Sequence, residues 1–281
     1  MLIYIKKTIT NGFTLSNLFL GFVSIILLSI SINSEQYNYI NLACYLILIA
    51  SLIDSLDGKL ARKLGISSDF GKEIDSLADL ISFCLAPSFL LFVYYYKLEL
   101  IQLEFLIFLS SFPLILGAIR LAKYNSLSNM RNSSKYVGLP TPANAILICS
   151  SILYVNKFIY REISNFIGYG KTNFILFEWM NFSLQGIFTR EFAIIAISII
   201  SSFLLMSKVD YEKFPLISFK INRKNTLDLI NLIIFIIILI TSIISGNYDI
   251  VLLFFMMIYI YGNLIKFILH KIKTKIKLKH S

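Results

Sequence analysis

Asp54-Ser-Leu-Asp57-Gly58-Lys-Leu-Ala61-Arg62 and, after eight intervening residues, Gly71-Lys-Glu-Ile-Asp75-Ser-Leu-Ala-Asp79 form the stretch on which the reading of this chain turns. Apolar segments flank it on both sides. Residues three and four apart share a helix face. Asp54 and Asp57 therefore project together from one helix, and Asp75 and Asp79 together from the next. Residues 63–70, with Gly65 and two serines, suit a tight connection. Two antiparallel helices then aim four carboxylates into one pocket. Such residues are costly at a membrane helix end, so a group of them marks a functional site by default. A solvated helix cap accounts for Lys59, Lys63, Lys72 and Glu73. It does not account for four Asp at these spacings on helices otherwise built from Leu, Ile, Ala and Phe.

Working outward, 57% of the 281 residues are hydrophobic, 15% are charged, and mean hydropathy is +0.76. That balance belongs to a polytopic membrane protein rather than a soluble domain. Apolar runs predict about eight spans, each near the ~20 residues a bilayer requires. Their approximate limits are 13–32, 40–57, 73–95, 100–121, 141–160, 190–207, 227–245 and 248–269. The expected fold class is an all-α, polytopic transmembrane helical bundle. The first apolar run follows Lys6 and Lys7 but lacks a small-residue cleavage site, so it reads as a transmembrane helix rather than a removed signal peptide. With the N-terminus inside and the spans alternating, 21 of the 26 Lys and Arg residues fall on the cytoplasmic side. Lys97, Lys157, Arg161, Lys171 and Arg190 remain outside. The positive-inside rule then places both termini and the Asp group in the cytoplasm.

The net charge of +10 follows from that topology and from attraction to anionic membrane lipids. Nucleic-acid binding is not needed to explain it. Cys44, Cys84 and Cys149 stand singly in apolar segments without C-x-x-C spacing, as small core residues do. His270 and His280 lie in the basic tail with no carboxylate nearby.

Clustered carboxylate oxygens suit hard cations such as Mg²⁺ or Mn²⁺. Two divalent ions about 3.5–4 Å apart can stabilise both oxygens of an in-line phosphoryl displacement. Gly58 and Ala61 leave room for a ligand or a backbone to approach, and Arg62 can grip a phosphate bidentately. Arg62 also serves as an ordinary cytoplasmic anchor under the topology rule.

The full pattern, D-x2-D-G-x2-A-R-x8-G-x3-D-x3-D, resembles the signature of the CDP-alcohol phosphatidyltransferases at all eight fixed positions and every spacing. That resemblance implies a reaction in which an alcohol displaces CMP from a CDP-activated lipid, assisted by two divalent ions, in a homodimer. It assigns Asp54, Asp57, Asp75 and Asp79 to metal binding, and Asp79 also to deprotonating the incoming hydroxyl. Gly58, Arg62 and Ser68 match positions contacting the CDP-lipid, with Ala61 and Gly71 completing that part of the signature. Upstream, Asn11-Gly-Phe-Thr14-Leu-Ser-Asn17 resembles the family's Asn-x-x-Thr entry to its first helix, which helps bind the nucleotide. Asn and Thr are also good N-caps, so a capping role stays open.

Three further segments resemble the phosphatidylserine synthase branch of the family. They are Gly71-x3-Asp75-Ser76-Leu77-Ala78-Asp79-x2-Ser82-Phe83-x2-Ala86-Pro87, Ala118-Ile-Arg120-Leu-Ala-Lys123-Tyr-Asn125, and Gly138-Leu-Pro140-Thr-Pro142-Ala. The branch more often has Arg-Phe where Lys123-Tyr124 stand, and a small residue at Asn144. The implied substrates are CDP-diacylglycerol and L-serine. Arg120, Lys123 and Asn125 are the candidate serine contacts, since a carboxylate is a natural partner for a bidentate arginine. Arg120 also reads as a topology anchor, and Gly138-Leu-Pro-Thr-Pro as a rigid turn.

The expected organisation is a catalytic core over 1–160, an outer loop over 161–189, and further transmembrane helices with a basic tail over 190–281. A multi-pass protein of a bacterial-type cytoplasmic membrane, with its site on the cytoplasmic face, follows. Sister enzymes that use glycerol 3-phosphate or an inositol acceptor share the same signature. Membrane prenyltransferases carry their acidic motifs farther apart, and transporters carry acidic residues mid-span.

Overall fold

The computed structural model describes residues 2–34, 38–64, 69–127, 135–166, 190–212 and, apart from 239, 237–279. Chain order is α1 (Leu2–Ile32), α2 (Asn38–Leu64), α3 (Asp69–Asp79), a π-helical turn (Leu80–Leu85), α4 (Ala86–Leu98), α5 (Leu103–Ser110) and α6 (Phe112–Leu127). There follow β1 (Lys135–Val137), α7 (Thr141–Phe166), α8 (Arg190–Leu205), β2 (Asp210–Glu212) and α9 (Tyr248–Lys279). Among the described residues, five stretches are long and apolar enough to cross a bilayer: Gly12–Ile32, Asn38–Asp57, Phe70–Leu98, Leu103–Ser126 and Tyr248–Thr274. The protein is an all-α integral membrane bundle, with one short antiparallel ribbon added.

Helix packing follows the placement of small residues. Along α1 the buried positions are Thr14, Asn17, Gly21, Ser24, Leu28 and Ser31, a three-four repeat that forms one stripe. Phe19, Phe22, Ile26 and Ile30 face outward. Lipid tails are as apolar as these side chains, so close packing of small residues, rather than apolar burial, drives association. The stripe packs along α2, whose buried face includes Ile40, Ala43, Cys44, Ile47 and Ala50. A buried core of Leu28, Ile47, Phe83, Leu90, Leu91, Tyr94, Ile148 and Ile152 joins α1, α2, the π-helical turn, α4 and α7.

The predicted span 100–121 is two helices that meet at Ser111. Pro113 lacks an amide donor and its ring crowds the carbonyl four residues back, so a regular helix cannot run through it. The segment 161–189 is not all loop, since α7 continues to Phe166; 167–189 lie outside the described residues. So does most of the predicted span 227–245.

The ribbon is the other departure. Lys135, Tyr136 and Val137 pair antiparallel with Glu212, Tyr211 and Asp210. Gly138 has a φ of 80°, and a Cβ there would strike the carbonyl of Leu205 and lie 3.2 Å from that of Ser207. Its N–H donates to the Val209 carbonyl at 2.9 Å. The Gly-Leu-Pro-Thr-Pro segment is thus a fitted joint between α7 and α8. Asn144 is fully buried, and its Oδ1 accepts from Ser201 Oγ at 2.6 Å. This ties α8 to α7.

Candidate active site

Two helix ends and the stripe of α1 build the site. Asp54 and Asp57 sit near the end of α2, one turn apart, and Asp75 and Asp79 occupy the second half of α3. Oxygens of Asp54, Asp75 and Asp79 lie within 4.8 Å of one another. Asp57 stands outside that trio. Its side chain is buried, and Oδ2 accepts a hydrogen bond from the Thr14 hydroxyl on α1. The expected four-carboxylate pocket is therefore a trio plus one tethered neighbour. The three-residue step from Asp54 to Asp57 turns about 300° rather than a full circle, and α1 fills the space on the Asp57 side.

Thr14 and Asn17 are interior residues of α1. The alternative that they cap a helix start is not what the fold does with them. Asn17 is buried and near enough to Asp79 to interact with it, and its backbone carbonyl accepts from Ser82 Oγ at 2.8 Å. Asn11 lies on the same helix, but its side chain is outside the described set.

From the other side comes α6. Arg120 is buried and close enough to Asp79 to interact with it electrostatically, and its guanidinium carbon lies 6.0 Å from the Tyr124 ring centroid. A positive-inside anchor would extend into water; this arginine faces the carboxylates. Asn125, the residue after Tyr124, hydrogen-bonds Ser76 beside Asp75, with Nδ2 2.9 Å from Ser76 Oγ. Lys123 is exposed. Gly71 lies in the first turn of α3. Gly58, Ala61 and Arg62 belong to α2, but their side chains are outside the described set, and Ser68 is outside the described residues.

These residues suit a divalent cation. Three carboxylates converge, and Oδ1 of Asp57 and Oδ1 of Asp79 are buried without a hydrogen-bond donor among the described residues. Buried carboxylate oxygens left in that state are unfavourable unless a cation or water completes them. Sequence reasoning missed Ser82, Ser76 and Tyr124 as neighbours of the site. Ser82 and Ser76 stood inside the quoted motif, but only the packing of α1 and α6 assigns them partners.

The opposite end of the bundle is closed by two other basic residues. Lys97 lies 18 residues beyond Asp79 on one rod, roughly 27 Å at 1.5 Å per residue. It donates to the carbonyls of Ser31 and Ser34 at the end of α1. Lys157 bonds the Gly246 carbonyl, Asn247 Oδ1 at 2.9 Å and the buried Asp249 Oδ1 at 3.1 Å.

The sequence model described as CDP-alcohol phosphatidyltransferase matches residues 7–177, a region holding the carboxylates, the α1 stripe and Arg120. Among curated proteins the chain is similar to the CDP-diacylglycerol–serine O-phosphatidyltransferase of Helicobacter pylori, 37% identical over 153 residues that cover 54% of this chain and 60% of the relative. Its counterpart of the same name in Methanocaldococcus jannaschii is 34% identical over 156 residues, covering 56% and 66%. The archaetidylserine synthase of Methanothermobacter thermautotrophicus is 37% identical over 146 residues, covering 51% and 56%. The chain thus spans about three fifths of the length of the curated relatives it matches. With the family model covering more than half of the chain, and the whole described acidic site inside the match, this protein belongs to the CDP-alcohol phosphatidyltransferase family.

Proposed function

We propose that this protein transfers the phosphatidyl group of CDP-diacylglycerol to L-serine, giving phosphatidylserine and CMP. The observation that carries the reading is Arg120, a buried guanidinium beside Asp79 in a family whose members act with an alcohol. An acceptor with its own carboxylate would find there both a base for its hydroxyl and a cation for its charge. The names of the three relatives support this, since each contains serine.

In this reaction the serine hydroxyl oxygen attacks the phosphorus that carries diacylglycerol. A new P–O bond forms, the bond to the bridging oxygen breaks, and CMP leaves with that electron pair. Asp79 takes the hydroxyl proton as the bond forms, because a neutral hydroxyl is a weak nucleophile. Asp54, Asp75 and Asp79, with Asp57 alongside, would hold two divalent ions, Mg²⁺ or Mn²⁺. When bound, these supply Lewis-acid stabilisation of charge on the phosphoryl oxygens. Thr14 holds Asp57, and Asn17 orients Asp79. The family resemblance assigns Gly58, Ala61, Arg62, Ser68 and Gly71, with Asn11, to the CDP-lipid, and Arg120, Lys123 and Asn125 to the acceptor. The site opens to the cytoplasm, as the distribution of basic residues supports, and the protein works as a homodimer.

The test offers purified protein CDP-diacylglycerol with radiolabelled serine, glycerol 3-phosphate or inositol in turn. Label entering lipid from serine alone is expected. Incorporation of either other head group in its place would refute the serine assignment and leave a sister enzyme of the family.

A further inference from the structure

The rod that carries Asp79 is not a regular helix. Asp79 is the last α-helical residue before the π-helical turn Leu80–Leu85, where Ala86 N–H bonds the Ile81 carbonyl five residues back. Its cause is readable in the chain. Pro87 follows within α4; in a regular helix it could not donate to the carbonyl of Phe83, and its ring would clash with that carbonyl. A widened turn relieves the clash by adding a residue, and such turns gather at functional sites.

Both flanking helices are cut to fit this turn. On α1, a Cβ at Gly21 would collide with Ser82 Oγ and lie 2.8 Å from Ser82 Cα. That close approach lets Ser82 Oγ reach the Asn17 carbonyl at 2.8 Å. On α6, a Cβ at Gly117 would collide with Cys84 Sγ and lie 3.1 Å from Cys84 Cβ. Ser82, Phe83 and Cys84 are all buried. Asn17 faces Asp79 from the α1 side and Arg120, three residues from Gly117, from the α6 side. The widened turn is therefore gripped by the same two helices that present partners to Asp79.

We propose that the π-helical turn is a positioning device for Asp79: Pro87 forces it open, Ser82 fastens it to α1, and Gly21 and Gly117 admit it between its neighbours. Ser82, Gly21, Gly117 and Pro87 act through Asp79 and touch no substrate. Without the added residue, everything before Leu80 would rotate by about 100° against α4, carrying Asp75 and Asp79 away from Asp54. This inference rests on the proposed reaction for its catalytic readout but not for its metal readout.

The experiment uses the full chain, purified in lipid nanodiscs, as Ser82→Ala, Gly21→Ala and Pro87→Ala, with Gly262→Ala as control. Gly262 lies on α9 with nothing within 4 Å of its Cβ position. Three quantities are measured: kcat and KM for each substrate, Mn²⁺ affinity by electron paramagnetic resonance titration, and Tm. A displacement near 1 Å costs a catalytic constellation about 10²-fold. Ser82→Ala and Gly21→Ala should therefore lower kcat by about tenfold to a hundredfold and weaken Mn²⁺ binding, with KM for CDP-diacylglycerol within about twofold. Pro87→Ala should slow turnover while Tm holds or rises, a split that lost packing would not give. Wild-type kcat and Mn²⁺ affinity in all three variants would overturn the inference, as would losses that merely track Tm. If the wild-type chain releases no CMP with serine, the acceptor assignment fails, while the Mn²⁺ titrations still decide the role of the turn.

Discussion

Replacing Thr14 by valine removes one hydroxyl while keeping the branched shape, and its consequence follows from the tether of Asp57. That carboxylate is 4% exposed. Its Oδ2 accepts from Thr14, and its Oδ1 has no donor among the described residues. The Thr14 bond is thus the described hydrogen bond that holds Asp57 beside Asp54 and Asp75. A hydrogen bond to a charged group contributes about 1.5–3 kcal/mol. At about 1.4 kcal/mol per tenfold, this corresponds to a roughly 10- to 150-fold loss if Asp57 must be held in place for turnover. The expected result for Thr14→Val is a fall of that size in kcat/KM, with weaker Mn²⁺ binding. Thr14→Ser keeps the donor and should recover most of the activity. CMP release measured against protein concentration, with Tm recorded in the same detergent, separates the site from the fold. Wild-type kcat/KM and Mn²⁺ affinity in Thr14→Val would refute the reasoning and return Thr14 to the role of a small packing residue.

Four more outcomes are expected. Excess EDTA should abolish CMP release and added Mg²⁺ or Mn²⁺ restore it, and Asp75→Asn should be inactive at normal membrane levels; full turnover in either case would sink the metal role of the trio. Arg120→Lys should raise KM for serine well above its effect on CDP-diacylglycerol, because a point charge does not reproduce a bidentate fork; substrate-by-substrate kinetics decide it, and a defect confined to the lipid would make Arg120 a phosphate contact. Lys157→Met leaves Asp249, 2% exposed, without its cation. Because Lys157 is about one third exposed, the cost should fall between the ~1 kcal/mol of a surface pair and the ~3–5 kcal/mol of a broken buried one. A lower Tm with unchanged kcat is expected, and Asp249→Asn in the same chain should recover part of it.

By itself the sequence determined the class of molecule and brought its acidic residues to one end of two adjacent helices. Long apolar runs have few ways to satisfy backbone polarity in lipid other than as helices. Asp54, Asp75 and Asp79 were legible as neighbours because helical spacing is a local rule and two adjacent helices bring both pairs to one end. Tertiary packing alone decided how those carboxylates are held. The sequence cannot reveal that Thr14 on α1 tethers Asp57 alongside the trio, since the two stand 43 residues apart and meet only when α1 lies along α2. The same holds for Asn17 and Arg120, whose alternative roles as cap and anchor were equally compatible with local rules until burial placed both against Asp79. Pro87 announces a disturbed helix, but whether it produces a kink, a break or a π-turn depends on what the neighbouring helices leave room for. Gly21 and Gly117 supply that room. Local spacing thus selects which residues can share a face, and the close approach of α1 and α6, available only in the assembled bundle, sets which oxygens meet.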